Sequence, residues 1–191
     1  MTDIFFDVMD TLVIDPYLTA LPEFFGTDFQ TLIKNKDQTL WPRFERGEID
    51  EATFLDGYFP DGPTVDGDAL RAHLRAAYEF IPGVETLLSD LNAAGHRLHT
   101  FTNYPVWHMV IEDKLRLSRY LKWTVVSCQL GVRKPDPEIY ARALDRVETD
   151  RPWFIDDRQV NVDAAVKAGF FGELFRDAGS LRRRFVEAGL L

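Results

Sequence analysis

The chain has one cysteine, Cys128, among 191 residues. That excludes a disulfide framework and a thiolate metal site. Its place in the apolar run Val125-Val126-Ser127-Cys128 predicts a buried, inert thiol. Histidine is scarce as well: of four, only His96 and His99 lie close together, and no metal-ligand spacing emerges. Basic charge is in deficit, with 22 Lys and Arg against 31 Asp and Glu and a formal net charge of -9. Such a balance argues against nucleic acid or an anionic membrane surface as partner, since both reward positive charge. A small anionic substrate stays open, because a bound cation can invert the sign of a pocket locally. The cluster Arg182-Arg183-Arg184, beside Leu181 and Phe185, reads as a solvated helix face rather than a phosphate grip. No apolar stretch is long enough to cross a bilayer, and no basic-then-apolar leader opens the chain. A soluble cytoplasmic protein is the expectation. Internal repeats and low-complexity tracts are also missing.

What is present is ample apolar material, 46% hydrophobic and 13% aromatic, arranged in short runs that alternate with helical patterns. Ile4–Phe6, Leu98–Thr102, Trp123–Ser127 and Trp153–Ile155 read as strands by their bulky content and abrupt polar ends. Val84–Ala94, His108–Leu117, Pro137–Val147 and Val160–Ala168 read as helices, the last stopped by Gly169. Strand and helix alternating at this spacing imply an α/β protein with a parallel sheet and crossover helices. Ligands of such sheets bind outside the carboxyl ends of the strands. Residues 15–80 break the alternation. They are rich in aromatics (Phe24, Phe25, Phe29, Trp41, Phe44, Phe54, Tyr58, Phe59), with a helix stop at Gly47 and a cap at Asp50. A turn is expected at Asp61-Gly62-Pro63, and Ile81-Pro82-Gly83 marks the return. The expected division is a core of residues 1–14 and 81–191 with a small helical unit, 15–80, inserted after the first strand.

Four polar clusters fall at the four strand ends. Asp7, in Ile4-Phe5-Phe6-Asp7-Val8-Met9-Asp10-Thr11, is placed for nucleophilic attack by a carboxylate, or is a turn or cap aspartate. Thr102-Asn103 could hold the oxygens of a transferring group, or simply end a strand. Lys134, in Gly131-Val132-Arg133-Lys134-Pro135-Asp136-Pro137, could neutralise charge as a compact ammonium, or be a surface lysine before a proline turn. Its two prolines stiffen the loop and fix the entry to the next helix. Asp156-Asp157 would repel one another unless a cation lies between them, most simply Mg2+. Otherwise they cap a helix, with Asp157 as the cap and Asp156 solvated. Tyr104 and Trp107 are either core or the wall of an apolar pocket.

In the order Asp, Thr, Lys, Asp-Asp, these clusters resemble the four motifs of the haloacid dehalogenase-like hydrolases across nearly the whole chain. The resemblance implies a Rossmann-like parallel sheet flanked by helices, with residues 15–80 as an inserted α-helical cap. Asp7 falls at the nucleophile, Thr102 at the second-motif hydroxyl, Lys134 at the third-motif lysine, and Asp156 and Asp157 at the fourth-motif acids. It further implies phosphoryl transfer through an aspartyl-phosphate with Mg2+. The metal would be held by Asp7, the Met9 backbone carbonyl and the fourth-motif acids. Thr11, Thr102, Asn103 and Lys134 would receive the phosphate of a small phosphorylated substrate. The cap is expected to move against the core about linkers near Asp15 and Ile81.

Two positions, Met9 and Asp10, depart from the pattern. The family's phosphatases read Asp-x-Asp-Gly-Thr, and here Met9 stands where the second aspartate protonates the leaving group and activates water. Positioned acid–base catalysis is worth about 10²- to 10⁴-fold, so a slow phosphatase is expected unless Asp10 substitutes from the next position. The family's 2-haloacid dehalogenases also lack that aspartate, because halide leaves without a proton. They need no metal, however, and carry an early cap arginine, whereas the first arginine here is Arg43. A phosphate- or metal-binding protein impaired in catalysis is the third reading.

Overall fold

The computed structural model describes residues 1–60, 62 and 64–191, so the expected turn at Asp61-Gly62-Pro63 rests on residues outside those described. The four expected strands are present: β1 (Asp3–Phe6), β2 (Arg97–Thr102), β3 (Lys122–Val126) and β4 (Trp153–Asp156). The reading missed β5 (Phe171–Leu174), which is short, half-exposed and interrupted by Gly172. That glycine has a packing reason: a Cβ there would meet Val166 Cγ2 at 2.7 Å. Among the described residues the five strands form one parallel sheet in the order β3-β2-β1-β4-β5. The chain builds outward from β1 on one side and then crosses to β4 on the other. Such a reversal opens a crevice at the carboxyl ends of β1 and β4.

Period-2 alternation divides the sheet's two faces. Ile4 and Phe6 of β1 join one core with Leu98, Ile155 and residues of α6 (Val84–Ala93) and α11 (Ala178–Glu187). Phe5 faces the other way, with Phe101, Val125 and Phe154, against α9 (Pro137–Leu144) and α10 (Gln159–Ala168). All four residues of β1 are buried, as expected of a central parallel strand. Each buried phenylalanine contributes about 1.5–3 kcal/mol of transfer free energy. Asp3 is buried at the amino end of β1, where its carboxylate accepts from Arg97 Nε (2.7 Å) and Thr149 Oγ1 (2.5 Å) and contacts His99 Nε2 (2.9 Å). Burial alone would raise its pKa, but the hydrogen bonds from Arg97, Thr149 and His99 override it and hold the carboxyl well below the usual range. His99 is thus a structural residue.

Between β1 and α6 the chain is helical: α1 (Ala20–Phe25), α2 (Phe29–Asn35), α3 (Leu40–Glu45), α4 (Glu51–Asp56) and α5 (Gly67–Ala77). Asp50 caps α4 through the Thr53 N–H at 2.8 Å, as expected. Most aromatics of this stretch pack on one another, as in the stacked Phe44–Phe54 pair at 4.6 Å. Gly47, in the left-handed region at φ 66°, lies where a Cβ would meet the Cys128 carbonyl oxygen at 2.5 Å. Ser127 Oγ donates to the Glu45 carbonyl at 2.5 Å. The inserted helices therefore touch the sheet's carboxyl end at mid-length, not only through the linkers near Asp15 and Ile81. α7 (His108–Leu115) follows β2, and α8 (Ser127–Leu130) follows β3 and contains the half-buried free thiol of Cys128, whose pKa burial raises. The three terminal arginines are surface residues, Arg182 paired with Asp90 and Arg184 with Glu173. No helix is long and apolar enough to cross a membrane among the described residues.

Candidate active site

β1 ends at Phe6, and the Asp7 N–H donates to the Ile155 carbonyl of β4 at 2.8 Å. This pins the first polar residue to the neighbouring strand. The chain then curls back: the N–H groups of Leu12 and Val13 both donate to the Val8 carbonyl, at 2.9 and 2.8 Å. Asp10 closes the curl with φ 55°, a backbone state that Asp tolerates better than most residues. Met9 lines the cavity, and its carbonyl oxygen accepts no backbone hydrogen bond among the described residues.

Lys134 is the centre of the site. It is 2% exposed, and its ammonium sits 2.9 Å from Asp7 Oδ1, 2.6 Å from Asp156 Oδ2 and 2.8 Å from the Phe101 carbonyl. Three acceptors match its three donors. The surface-lysine alternative is thereby overturned. Burial would push Lys134 toward neutrality, but the charges of Asp156 and Asp7 more than offset it and raise its pKa. Asn103 fixes the loop that carries it: Asn103 Oδ1 accepts from the Lys134 N–H (2.7 Å), and Nδ2 donates to the Lys134 carbonyl (2.9 Å). Asn103 thus positions Lys134 with both ends of its amide, although it was expected to bind phosphate. At the other end of this loop, Asp136 accepts from the Glu138 N–H at the start of α9, with Pro137 at the first helical position.

Of the two fourth-motif acids, Asp156 is fully buried and saturated. Its oxygens accept from Lys134, from the Arg158 N–H (2.9 Å) and from Asn161 Nδ2 (2.9 and 3.1 Å). Asp157 is half-buried, and among the described residues its carboxylate takes no side-chain hydrogen bond. The cap alternative fails here too, since α10 has no side-chain cap. Asp7, Asp156 and Asp157 each present an oxygen within 4.8 Å of the others. With Lys134 the only ammonium among them, negative charge is in excess. Burial, opposed by Lys134 but reinforced by Asp156 and Asp157, raises the pKa of Asp7. Burial and the charges of Asp156 and Asp10 likewise raise that of Asp157.

A cavity of about 350 Å3 opens above these groups, at the lower end of the range for small-molecule sites. Asp7, Met9, Asp10, Thr102, Asn103, Lys134 and Asp157 face it. Thr11 does not: it is fully buried beneath the curl, and its Oγ1 finds no partner among the described residues. Tyr104 and Trp107 are both core and wall. The inserted helices supply residues that no motif marked, including Tyr17, Trp41 and Glu45, and the entering linker supplies Asp15. Glu45 is buried against Arg133 at 3.0 Å and accepts from Trp41 Nε1 at 2.8 Å. Burial, opposed by Arg133 and Trp41, raises its pKa. A lone glutamate inside the run Trp41-Pro42-Arg43-Phe44-Glu45-Arg46 carries no recognisable sequence signal.

Comparison with known proteins agrees with this geometry. Flavin mononucleotide hydrolase 1 of Arabidopsis thaliana, a chloroplast protein by its name, is 42% identical over 187 residues, 97% of this chain and 76% of that protein. A sesquiterpene phosphatase of Aspergillus oryzae is 29% identical over 157 residues, 76% of this chain and 75% of that protein. A haloacid dehalogenase family enzyme of Bacteroides thetaiotaomicron, solved with magnesium and inorganic phosphate, shares the fold with a TM-score of 0.77 at 19% identity, covering 93% of this chain and 95% of that one. The family model described as haloacid dehalogenase-like hydrolase matches residues 4–169. The chain belongs to the haloacid dehalogenase-like hydrolase family.

Proposed function

We propose that the chain is a Mg2+-dependent phosphatase that hydrolyses a small phosphomonoester through a phosphoryl group carried on Asp7. The observation that carries this reading is the Lys134 ammonium bridging Asp7 and Asp156 while Asp157 stands unpaired beside them. Three carboxylates around one ammonium, with hard oxygen donors, fit a magnesium ion. Asp7, the Met9 carbonyl and Asp157 would hold it, with Asp156, already saturated, serving chiefly to anchor Lys134. When bound, the ion would neutralise charge on the transferring phosphoryl oxygens.

The remaining chemistry belongs to the chain. Lys134 favours the ionised form of Asp7 against the effect of burial and holds its carboxylate in place at 2.9 Å, and its charge favours the phosphate dianion. Asp7 attacks phosphorus, and the leaving alcohol departs with a proton. Thr102, which ends β2 and lines the cavity, would hold a phosphoryl oxygen. Water then displaces Asp7 and releases inorganic phosphate. Residues 15–80 act as a cap in this reading, supplying the wall of the leaving-group pocket and excluding water.

Flavin mononucleotide is the first substrate to test. The 42% identity to a flavin mononucleotide hydrolase and an aromatic wall of Trp41, Tyr104 and Trp107 both support it. The assay is phosphate release from flavin mononucleotide and from p-nitrophenyl phosphate with Mg2+, for wild type and Asp7→Asn. Mg2+-dependent release abolished by Asp7→Asn is expected. No turnover across phosphoesters and acyl phosphates would sink the reading, and metal-free chloride release from 2-chloropropionate would establish a dehalogenase instead.

A further inference from the structure

We propose that Asp15 is the general acid and base of this site, taking the place that Met9 leaves vacant. The inference rests on the phosphatase reading above and deepens it. Asp15 faces the same cavity as Asp7 and Met9. It is the cap of a short 3-10 turn, Pro16–Leu18, and its Oδ1 accepts from the Tyr17 N–H at 3.0 Å. The carboxyl group is therefore held in one orientation. Its other oxygen, Oδ2, takes no hydrogen bond among the described residues and is free to exchange a proton.

Asp10, the nearer candidate in sequence, is differently engaged. It is exposed, and its Oδ1 accepts from the Asp15 N–H at 3.1 Å. Its carboxylate thus fastens the curl after β1 to the start of the linker, and places Asp15 rather than the proton. The groups facing Asp15 are Asp10, Asp157, Tyr17 and the hydrogen-bonded hydroxyls of Tyr78 and Tyr104. No cation pairs with it among the described residues. Burial, eased by the Tyr17 N–H and reinforced by Asp10 and Asp157, pushes its pKa up to about 6. A carboxyl group that titrates closer to neutrality than an ordinary aspartate suits a leaving-group acid that must also accept a proton in the second step.

The two steps balance. As an Asp7 oxygen bonds to phosphorus, the bond from phosphorus to the alcohol oxygen breaks, and the Asp15 Oδ2 proton passes to that oxygen. Asp15 is left as a carboxylate. It then takes a proton from the water whose oxygen bonds to phosphorus, the Asp7–phosphorus link breaks, and phosphate leaves with Asp15 neutral again.

The test compares wild type, Asp15→Asn and Asp10→Asn on two substrates at saturating Mg2+. Flavin mononucleotide has an alkoxide leaving group that needs a proton, whereas p-nitrophenyl phosphate leaves as a stable phenolate. Asparagine retains the cap acceptor, so the turn is kept. Asp15→Asn is expected to lower kcat for flavin mononucleotide about 100-fold or more, with a loss on p-nitrophenyl phosphate at least about tenfold smaller. The alkaline decline of the wild-type kcat profile on flavin mononucleotide should also disappear. Equal losses on both substrates, no loss on either, or the selective loss in Asp10→Asn instead would overturn the assignment. So would a wild type that turns over p-nitrophenyl phosphate but no alkyl phosphate, an outcome that leaves the phosphatase reading standing. Absence of turnover on both substrates overturns the phosphatase reading itself, and the role of Asp15 with it.

Discussion

Lys134 and Asp7 form a buried ion pair at 2.9 Å, yet the lysine's shorter contact, 2.6 Å, is to Asp156. The lysine is therefore anchored by one carboxylate and offered to another. Lys134→Met removes the only ammonium among three acids. Breaking a buried pair from one side costs about 3–5 kcal/mol, and loss of one preorganised charge lowers kcat by about 10²- to 10³-fold. Thermal unfolding and phosphate release read the two effects. Lys134→Arg should not restore activity, since a planar fork cannot occupy a site built for a compact ammonium.

The two adjacent acids should separate cleanly. Asp156→Asn loses the charge that anchors Lys134 and lowers stability without metal by about 1.5–3 kcal/mol. Asp157→Asn removes a repelling charge, so metal-free stability should hold or rise. It should also lose the Mg2+-dependent rise in Tm expected of wild type, where a ligand at 100 times its Kd adds about 2.7 kcal/mol. Differential scanning calorimetry with Mg2+ and with a chelator measures both. A metal-dependent rise that persists in Asp157→Asn would move the cation elsewhere.

Acid sensitivity should centre on Asp3. Its folded pKa lies below the unfolded value of about 3.9. The stability it contributes is therefore complete above that value and is lost as pH falls through the lower, folded value. Asp3→Asn should cost about 3 kcal/mol at pH 7, where the carboxylate holds Arg97, Thr149 and His99. The variant should also lose less stability than wild type below about pH 4. Urea titrations across the acid range test the sign.

Gly47 lets the inserted helices meet the core. Gly47→Ala places a Cβ 2.5 Å from a backbone oxygen at a positive φ, so neither neighbour yields easily. A loss of about 1–3 kcal/mol is expected. It should come with a larger effect on KM for flavin mononucleotide than for p-nitrophenyl phosphate, because Glu45 and Trp41 shift with it.

The residues at the ends of the core strands were legible because they follow apolar runs whose period reveals the sheet. Asp7, Lys134, Asp156 and Asp157 meet in space as their order along the chain implied. β5 was hidden because an edge strand with Gly172 and Glu173 lacks both a continuous apolar run and clean alternation. Roles within the site were less legible than its membership. Asn103 spends its amide on the Lys134 backbone, and Thr11 is turned beneath the curl. Both are consequences of side-chain direction, which residue spacing does not encode. Asp15 and Glu45 come from the linker and the inserted helices, where no periodic strand end marks a position as facing the cavity.

The central claim is that Asp7 carries the phosphoryl group despite Met9. The most direct measurement is the rate of phosphate release from flavin mononucleotide with Mg2+ by wild type, Asp7→Asn and Met9→Asp. The account predicts release that Asp7→Asn abolishes and that Met9→Asp, with Asp15 already supplying the proton, changes little. Release that survives Asp7→Asn, or a wild type inert toward every phosphoester and acyl phosphate, would contradict it.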